Sequence, residues 1–215
     1  MKSISGQISG LNSLFPWIRK QAINSLVKTG MPAVKEIILI LDTPYAPICI
    51  NGISSNDPDW DESTQAVARW KKLLDVLVSI GTPALSELED ALHHSNPNVR
   101  ISAMHVIGKI GNPSFIDLLL PFTHSTLVYE RAWSVGALGY AGLSKYYETL
   151  IIALDDEESD VRESAILALG DLGDERALPT LKRIAEKDRT LIENYGLTVG
   201  DVAKKAIIKI LKREK

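Results

Sequence analysis

Glycines recur along the chain at a nearly constant interval. Gly81, Gly111, Gly142 and Gly173 lie 30, 31 and 31 residues apart. Two more features keep this register: an arginine eleven residues before each of the last three glycines, and a second glycine three residues before each. The arginines are Arg100, Arg131 and Arg162, and the inner glycines are Gly108, Gly139 and Gly170. A period of this length indicates an array of one structural unit.

The unit is clearest between Asp160 and Ala185, where the sequence is typical of two short helices joined by a tight turn. Apolar residues from Val161 to Leu172 fall at offsets 0, 4, 5, 8 and 11, which is one face of an α-helix. Asp160 can cap the first helix, and Gly173 follows it where a left-handed residue is favoured. Helices this short are marginal alone. Their apolar faces must therefore be buried against neighbouring units.

The inner glycines and the repeated arginines both have a structural interpretation. Glycine inside a helix costs about 1 kcal/mol relative to alanine, so a repeated inner glycine predicts a close approach of the paired helix. The arginines could form a basic ladder for phosphates. Because each arginine recurs with the repeat itself, we favour bonds to turn carbonyls or to acids of adjacent units.

Two segments carry a family resemblance. Residues 98–103 with 107–113, and residues 160–165 with 169–174, resemble the HEAT-like repeat family, in particular the short form also found in phycobilin lyases. The unit between them departs from the pattern by placing Trp133 where small residues are usual. The resemblance covers about three-quarters of the chain. It implies an all-α fold, a right-handed α-α superhelix of about five helical hairpins with a C-terminal capping helix, and it implies little about function.

The register also predicts the organisation of the chain. We expect a flexible lead over residues 1–14 and a single repeat domain over residues 15–215. Gly81 follows Gly30 by 51 residues, about twenty more than the repeat, which predicts an inserted loop at 42–62. A second shift predicts an insertion at 187–200. The last helix, 201–213, has a lysine-rich face that suits a terminal cap, or else a patch for nucleic acid or an acidic partner.

Composition limits the classes of function. The net charge of −3 and the pI near 5.8 argue against a main role in nucleic-acid binding. A single cysteine, Cys49, excludes an internal disulfide and is typical of a reducing compartment. The N-terminus lacks an apolar signal core, and no apolar run is long enough to span a bilayer. We therefore expect a cytoplasmic protein with no membrane partner.

No motif for catalysis or cofactor binding emerges. The acidic run 57–62 fails the EF-hand pattern, because Glu62 stands where glycine is needed and Ala68 where an acid is needed. The adjacent His93 and His94 are interpreted as a polar helix end, and the acidic turn 155–158 as a helix cap or a docking point. Resemblance to deoxyhypusine hydroxylases would imply His-Glu iron ligands, and the sequence has no His-Glu pair. We predict no metal, no cofactor and no enzymatic activity.

The resemblance also implies where a partner would bind. Second helices usually line the concave face in this family, and that face is expected to hold a protein or peptide. The candidate residues are Glu87, Asp90, Asp117, Tyr146, Tyr147, Lys182 and Arg183. Tyr146 and Tyr147 are adjacent, so at least one is expected to face the core.

Two alternatives to a protein-binding scaffold stay open. One is a phycobilin lyase-like factor that handles a tetrapyrrole. The other is a nucleic-acid-binding protein similar to the HEAT-like alkylpurine DNA glycosylases, against which the acidic pI weighs.

Overall fold

The computed structural model describes residues 3–13, 16–42, 65–192 and 196–213, and these residues are predominantly helical. The helices are α1 (Ile4–Gly10), α2 (Pro16–Thr29), α3 (Met31–Leu41), α4 (Gln65–Ile80), α5 (Leu85–Ala91), α6 (Pro97–Ile110), α7 (Pro113–Ile116), α8 (Val128–Ala141), α9 (Tyr147–Ala153), α10 (Ser159–Leu172), α11 (Leu178–Lys187) and α12 (Val199–Lys212). Short 3-10 turns precede α5, α9 and α11, and a 3-10 helix, Asp117–His124, continues α7. Among the described residues the only extended pairing is an isolated bridge between Leu191 and Thr198. The all-α fold class is confirmed.

The residues group into two compact units, and the boundary falls within α6 after residue 106. In the first unit, α1 and α4 pack on α2, and α5 packs on α3. Its core includes Leu26, Ile37, Leu77 and Leu88, which are at most 1% exposed. In the second unit, α10 lies between α8 and α12, and α11 packs on α12. The single domain predicted over residues 15–215 stays a prediction.

Residues 4–10 form a helix, where the sequence predicts a flexible lead over residues 1–14. The Ser3 hydroxyl accepts a hydrogen bond from the Gly6 amide at 3.2 Å and caps α1. Ile8 and Leu11 are 3% and 1% exposed, so two apolar side chains anchor this segment on α2. The Ser- and Gly-rich composition does not predict this helix, because the helix depends on its packing against α2.

The inner glycines do allow a close helix approach, but the predicted partner is wrong. A methyl group added to Gly108 would lie 2.8 Å from the Ala137 Cα atom, and one added to Gly139 would lie 2.5 Å from the Ala168 Cα atom. These alanines belong to the first helix of the next repeat, not to the paired second helix. Glycine is needed because the backbones of successive first helices almost touch.

The turn glycines adopt the backbone conformation that the register predicts. Gly142 and Gly173 have φ angles of 62° and 74° and end α8 and α10 in the left-handed region. Gly81 and Gly111 also have positive φ angles, at 74° and 69°, although the ψ angle of Gly81, −143°, places it outside the left-handed helical region. The helix-turn-helix unit is therefore confirmed at each of these four positions.

The repeated arginines have the structural role that the sequence analysis favours. Arg100, Arg131 and Arg162 each donate a hydrogen bond to the backbone carbonyl six residues earlier, in the turn before their own helix, at 2.6, 3.0 and 2.9 Å. Arg131 also binds both carboxylate oxygens of Asp156, at 2.9 and 3.0 Å, and Arg162 binds Asp188 at 3.0 Å. Within the second unit these arginines join one inter-repeat turn to the next.

Replacing Arg162 with lysine is expected to lower the free energy of unfolding by about 1 kcal/mol. A lysine has one donor centre and cannot bind Asp188, Thr190 and two turn carbonyls together, as the guanidinium does. The matched control is Arg183→Lys, because Arg183 is exposed and its nearest acid, Asp155, lies 3.8 Å away. Urea unfolding measures both. An equal loss in the two variants would contradict the structural role of Arg162.

Of the two predicted insertions, the structure describes most of 187–200 and only the first residue of 42–62. The start of the 187–200 segment is tied to the repeat, because Asp188 binds Arg162 and its backbone carbonyl accepts the Gly200 amide at 3.0 Å. Ile192 is 2% exposed, so the segment contributes to the core. The 42–62 loop, with Cys49 and the acidic run 57–62, lies outside the described residues apart from Asp42.

Candidate partner-binding site

The candidate residues of the first unit lie on α5. Glu87 is half-buried and pairs with Lys35 of α3, with 3.4 Å between the carboxylate and the ammonium. Asp90 is exposed one turn later. A surface pair of this kind contributes little to stability, about 0–1 kcal/mol, and Asp90 is the more accessible of the two carboxylates.

In the second unit, the side chains of Lys145 and Tyr146 converge on Asp117. The Tyr146 hydroxyl donates to the Asp117 carboxylate at 2.8 Å, and the Lys145 ammonium donates to both carboxylate oxygens, at 2.7 and 2.9 Å. The hydrogen bonds from Lys145 and then from Tyr146 lower the pKa of Asp117. Asp117 is therefore a negative charge held in place by two donors of the next repeat.

The adjacent tyrosines face different surroundings, as the sequence analysis expects of at least one of them. Tyr146 is 2% exposed and its ring lies in the core. Burial raises the pKa of Tyr146, and its hydrogen bond to Asp117 adds to the shift. Tyr146 fixes the start of α9, so it is unsuited to direct contact with a partner.

Tyr147 instead takes part in a cation–π pair. The Arg176 guanidinium lies 4.1 Å from the centre of the Tyr147 ring. The Nε and Nη2 atoms of Arg176 donate hydrogen bonds to the Asp174 carboxylate at 3.0 and 2.6 Å, and these bonds orient the guanidinium. The pair joins the start of α9 to the hairpin turn of the next repeat and presents an ordered aromatic and cationic group.

The remaining candidates lie on α11. Lys182 and Arg183 are both exposed. Arg183 approaches the exposed carboxylate of Asp155 at 3.8 Å, too far for a hydrogen bond. Both cations are therefore available at the surface.

The acidic turn and the paired histidines have mainly structural roles. Asp156 accepts the Glu158 amide at 2.9 Å in addition to binding Arg131. Burial opposes ionisation of Asp156, but these hydrogen bonds outweigh it and lower its pKa. His94 accepts the Asn96 amide at 3.1 Å. Glu158 occupies the N-cap position of α10 without a side-chain capping bond, so Asp156 orders the turn before the helix and does not cap it, and His94 is part of a turn.

The sequence analysis missed Lys145 and Arg176. Each stands three residues after a turn glycine, Gly142 or Gly173, but Ala84 and Ser114 hold this position in the other two repeats, so the register does not identify a cation there. Each contacts a predicted candidate residue. Lys145 binds the carboxylate of Asp117, and Arg176 lies over the ring of Tyr147.

Two features are absent from the described residues. No group of three or more His, Cys, Asp or Glu side chains in the described ranges could hold a metal ion. Helices long and apolar enough to cross a membrane are also lacking in that part of the chain.

Comparison with known families identifies the repeat. Residues 123–193, which contain α8, α9, α10 and α11, match the family model described as HEAT repeats. The HEAT-like nature of these repeats, inferred from the register of arginines and glycines, is confirmed. No curated protein matches the chain.

Solved structures share the fold. The chain is similar to a crystal structure of an engineered protein, with a TM-score of 0.51 and 15% identity over 99% of this chain and 98% of that one. It is similar to human deoxyhypusine hydroxylase in complex with glycerol, with a TM-score of 0.50 and 16% identity over 97% and 96% of the two chains. The CpcE–CpcF complex of phycocyanin lyase from Nostoc sp. has a TM-score of 0.33 and 19% identity over 99% and 98%, a level that supports no inference. Identities this low show the fold alone.

Proposed function

We propose that the chain is a non-catalytic scaffold that holds a protein or peptide partner along its second helices. The observation that carries this proposal is the Tyr147–Arg176 pair. Tyrosine and arginine are the residue types enriched in interface hot spots, and a side chain that is already ordered loses little entropy on binding. Asp174 and the ring of Tyr147 together hold the Arg176 guanidinium in one orientation.

Other groups on the second-helix segments of each unit suit a polypeptide ligand. Ile152 of α9 is 64% exposed and offers an apolar contact. Lys182 and Arg183 of α11 offer cations, and Asp117 offers a carboxylate. In the first unit, Glu87 and Asp90 add carboxylates on a second helix. A mixture of aromatic, apolar and charged groups is typical of protein interfaces.

The arginines that recur with the repeat make contacts of a different kind. Arg131 and Arg162 lie against carboxylates and carbonyls of the turns, and their side chains are 11% and 14% exposed. These arginines are occupied in holding the repeats together. Arg131 and Arg162 are therefore not part of the proposed binding surface of the second helices.

Affinity capture tests the proposal. The tagged chain is incubated with lysate of its source organism, and bound proteins are identified by mass spectrometry. We expect a stoichiometric protein whose affinity falls at least tenfold in Tyr147→Ala and Arg183→Glu. The control is Leu167→Asp on α10, a first helix, where the side chain is 44% exposed and the second helices are left unchanged.

Other outcomes distinguish the rival functions. Partners whose affinity is unchanged in both Tyr147→Ala and Arg183→Glu would contradict binding along the second helices. Visible absorbance in the eluate would favour the tetrapyrrole-handling alternative. Nucleic acid that dissociates at raised salt would favour the nucleic-acid alternative.

A further inference from the structure

The outer face of α12 departs from the pattern that joins the other first helices. In α8, Ala137 faces Gly108 of the preceding helix, and Gly139, two residues later, receives Ala168 of the following helix. In α10, the residues that play these two parts are Ala168 and Gly170. The pattern is thus an alanine facing backwards and a glycine facing forwards.

In α12 the alanine is kept and the glycine is replaced. Ala206 lies against Gly170, where an added methyl group would be 3.3 Å from the Ala206 Cα atom. Two residues later stands Ile208, whose side chain is 52% exposed. An isoleucine at this position prevents another helix from approaching as closely as α10 approaches α8. The glycine–alanine stacking therefore ends at α12, and its forward face is open to a different kind of partner.

The side chains around Ile208 define the chemistry of that face. Lys204 and Lys205 lie one turn before it, and Leu211, which is 44% exposed, and Lys212 lie one turn after it. Residues 199–213 contain five cationic side chains and one acidic side chain, in a chain whose net charge is −3. Lys204 pairs with Asp201 and Lys209 with Asp171, which partly neutralises the edges of the face.

We propose that this surface, the α12 outer face (Lys204, Lys205, Ile208, Leu211 and Lys212), binds an acidic amphipathic helix of a protein partner. Ile208 and Leu211 are three residues apart and form a short apolar strip that matches the apolar face of a helix. The flanking lysines complement carboxylates on both sides of that face and accelerate the encounter.

Two other occupants fit the surface less well. A phosphate backbone would be bound by the lysines but would leave the two exposed aliphatic side chains without a role. A second copy of the chain docking through α2 would bring like charges together, because α2 carries Arg19, Lys20 and Lys28 and no acid. The charge and the apolar strip together favour an acidic protein segment.

Selection from a displayed library of random 16-residue peptides tests the inference. The intact chain is the target, and peptides that bind the Ile208→Asp variant are removed first. We expect the selected peptides to carry Asp or Glu beside apolar residues spaced three or four apart. Their dissociation constants should rise at least tenfold in Ile208→Asp and less than twofold in Ile152→Asp, which changes an exposed isoleucine of α9.

Several results would overturn the inference. Selected peptides that are neutral or basic would contradict charge complementarity, and an equal loss in Ile152→Asp would place binding elsewhere. A failure to select any peptide that distinguishes the intact chain from Ile208→Asp would also contradict it. A duplex DNA or a vesicle containing anionic lipid that binds in an Ile208-dependent manner, more tightly than any peptide, would assign the face to that ligand. Because Tyr147→Ala leaves α12 unchanged, failure of the second-helix proposal does not alter this result.

Discussion

Substituting alanine for Gly139 is expected to destabilise the protein by about 2–3 kcal/mol, although alanine is the better helix former. The added methyl group would lie 2.5 Å from the Ala168 Cα atom, well inside van der Waals contact. The obstructing atoms belong to the backbone and the Cβ of a helix, so no side-chain rotation can relieve the clash. Relief requires α8 and α10 to separate, which opens space around Val135 and Ile166 in the core.

Gly136 supplies the matched control within the same helix. A methyl group added there meets no atom within 4 Å. Gly136→Ala is therefore expected to stabilise the protein by about 0.5–1 kcal/mol, the ordinary gain from replacing a helical glycine. Urea unfolding followed by circular dichroism measures both variants. A gain at position 139 similar to that at 136 would show that the two helices are not in close contact.

A second substitution locates the clash. Ala168→Gly removes the Cβ atom that faces Gly139, so the double variant Gly139→Ala, Ala168→Gly should be less destabilised than the sum of the two single changes. A purely additive result would assign the loss at Gly139 to some other contact. The cycle thus tests the stacking that organises the second unit.

The turn of the repeat could be predicted from sequence because it depends on local chemistry. A left-handed residue after a helix favours glycine whatever the surrounding fold, so Gly142 and Gly173 were assignable from their positions. The arginine register was assignable for a related reason. A cation that recurs with the turn has the turn carbonyls and acids within reach in every unit, as Arg131 and Arg162 show.

The partner of the inner glycines could not be predicted in the same way. The period shows that position 139 must be small, but both the paired helix and the next first helix are possible neighbours. Only the packing of α10 on α8 decides between them. Similarly, α1 depends on the burial of Ile8 and Leu11 against α2, which a short and weakly patterned sequence does not reveal.

The candidate site was predictable in part. The proximity of Asp117 to Tyr146 depends on the stacking of two repeats, since the residues are 29 positions apart. Sequence reasoning placed both on second-helix segments and expected one tyrosine of the pair to face the core. It could not show that the Tyr146 hydroxyl and the Lys145 ammonium converge on one carboxylate. It also could not show that Arg176 covers Tyr147.

Glu163 is a buried carboxyl group that makes the stability of the protein depend on pH. It lies on α10, is 6% exposed, and its Oε2 atom has no hydrogen-bond partner among the described residues. Burial raises the pKa of Glu163 from its ordinary value of 4.5 to about 7, the charge of Asp160 adds to the shift, and Lys205 opposes it. The folded protein therefore holds this proton to a higher pH than the unfolded chain does.

The sign of the pH dependence follows from that difference. The contribution of Glu163 to stability is fully present below pH 4.5, and it is lost as the pH rises through 7. At about 1.4 kcal/mol for each pKa unit, the shift from 4.5 to about 7 corresponds to a total loss of about 3.5 kcal/mol. Ionisation of Glu163 therefore destabilises the folded protein above neutral pH.

Glu163→Gln removes the ionisation and retains the shape. We expect the variant to be more stable than the parent by about 2–3 kcal/mol at pH 8 and equally stable near pH 4.5. Glu186→Gln, at an exposed position of α11, is the matched control and should change stability little at either pH. Chemical unfolding at the two pH values measures these differences. A gain of the same size at both would assign the effect to packing or hydrogen bonding, because ionisation of Glu163 costs free energy only where the folded carboxyl group loses its proton.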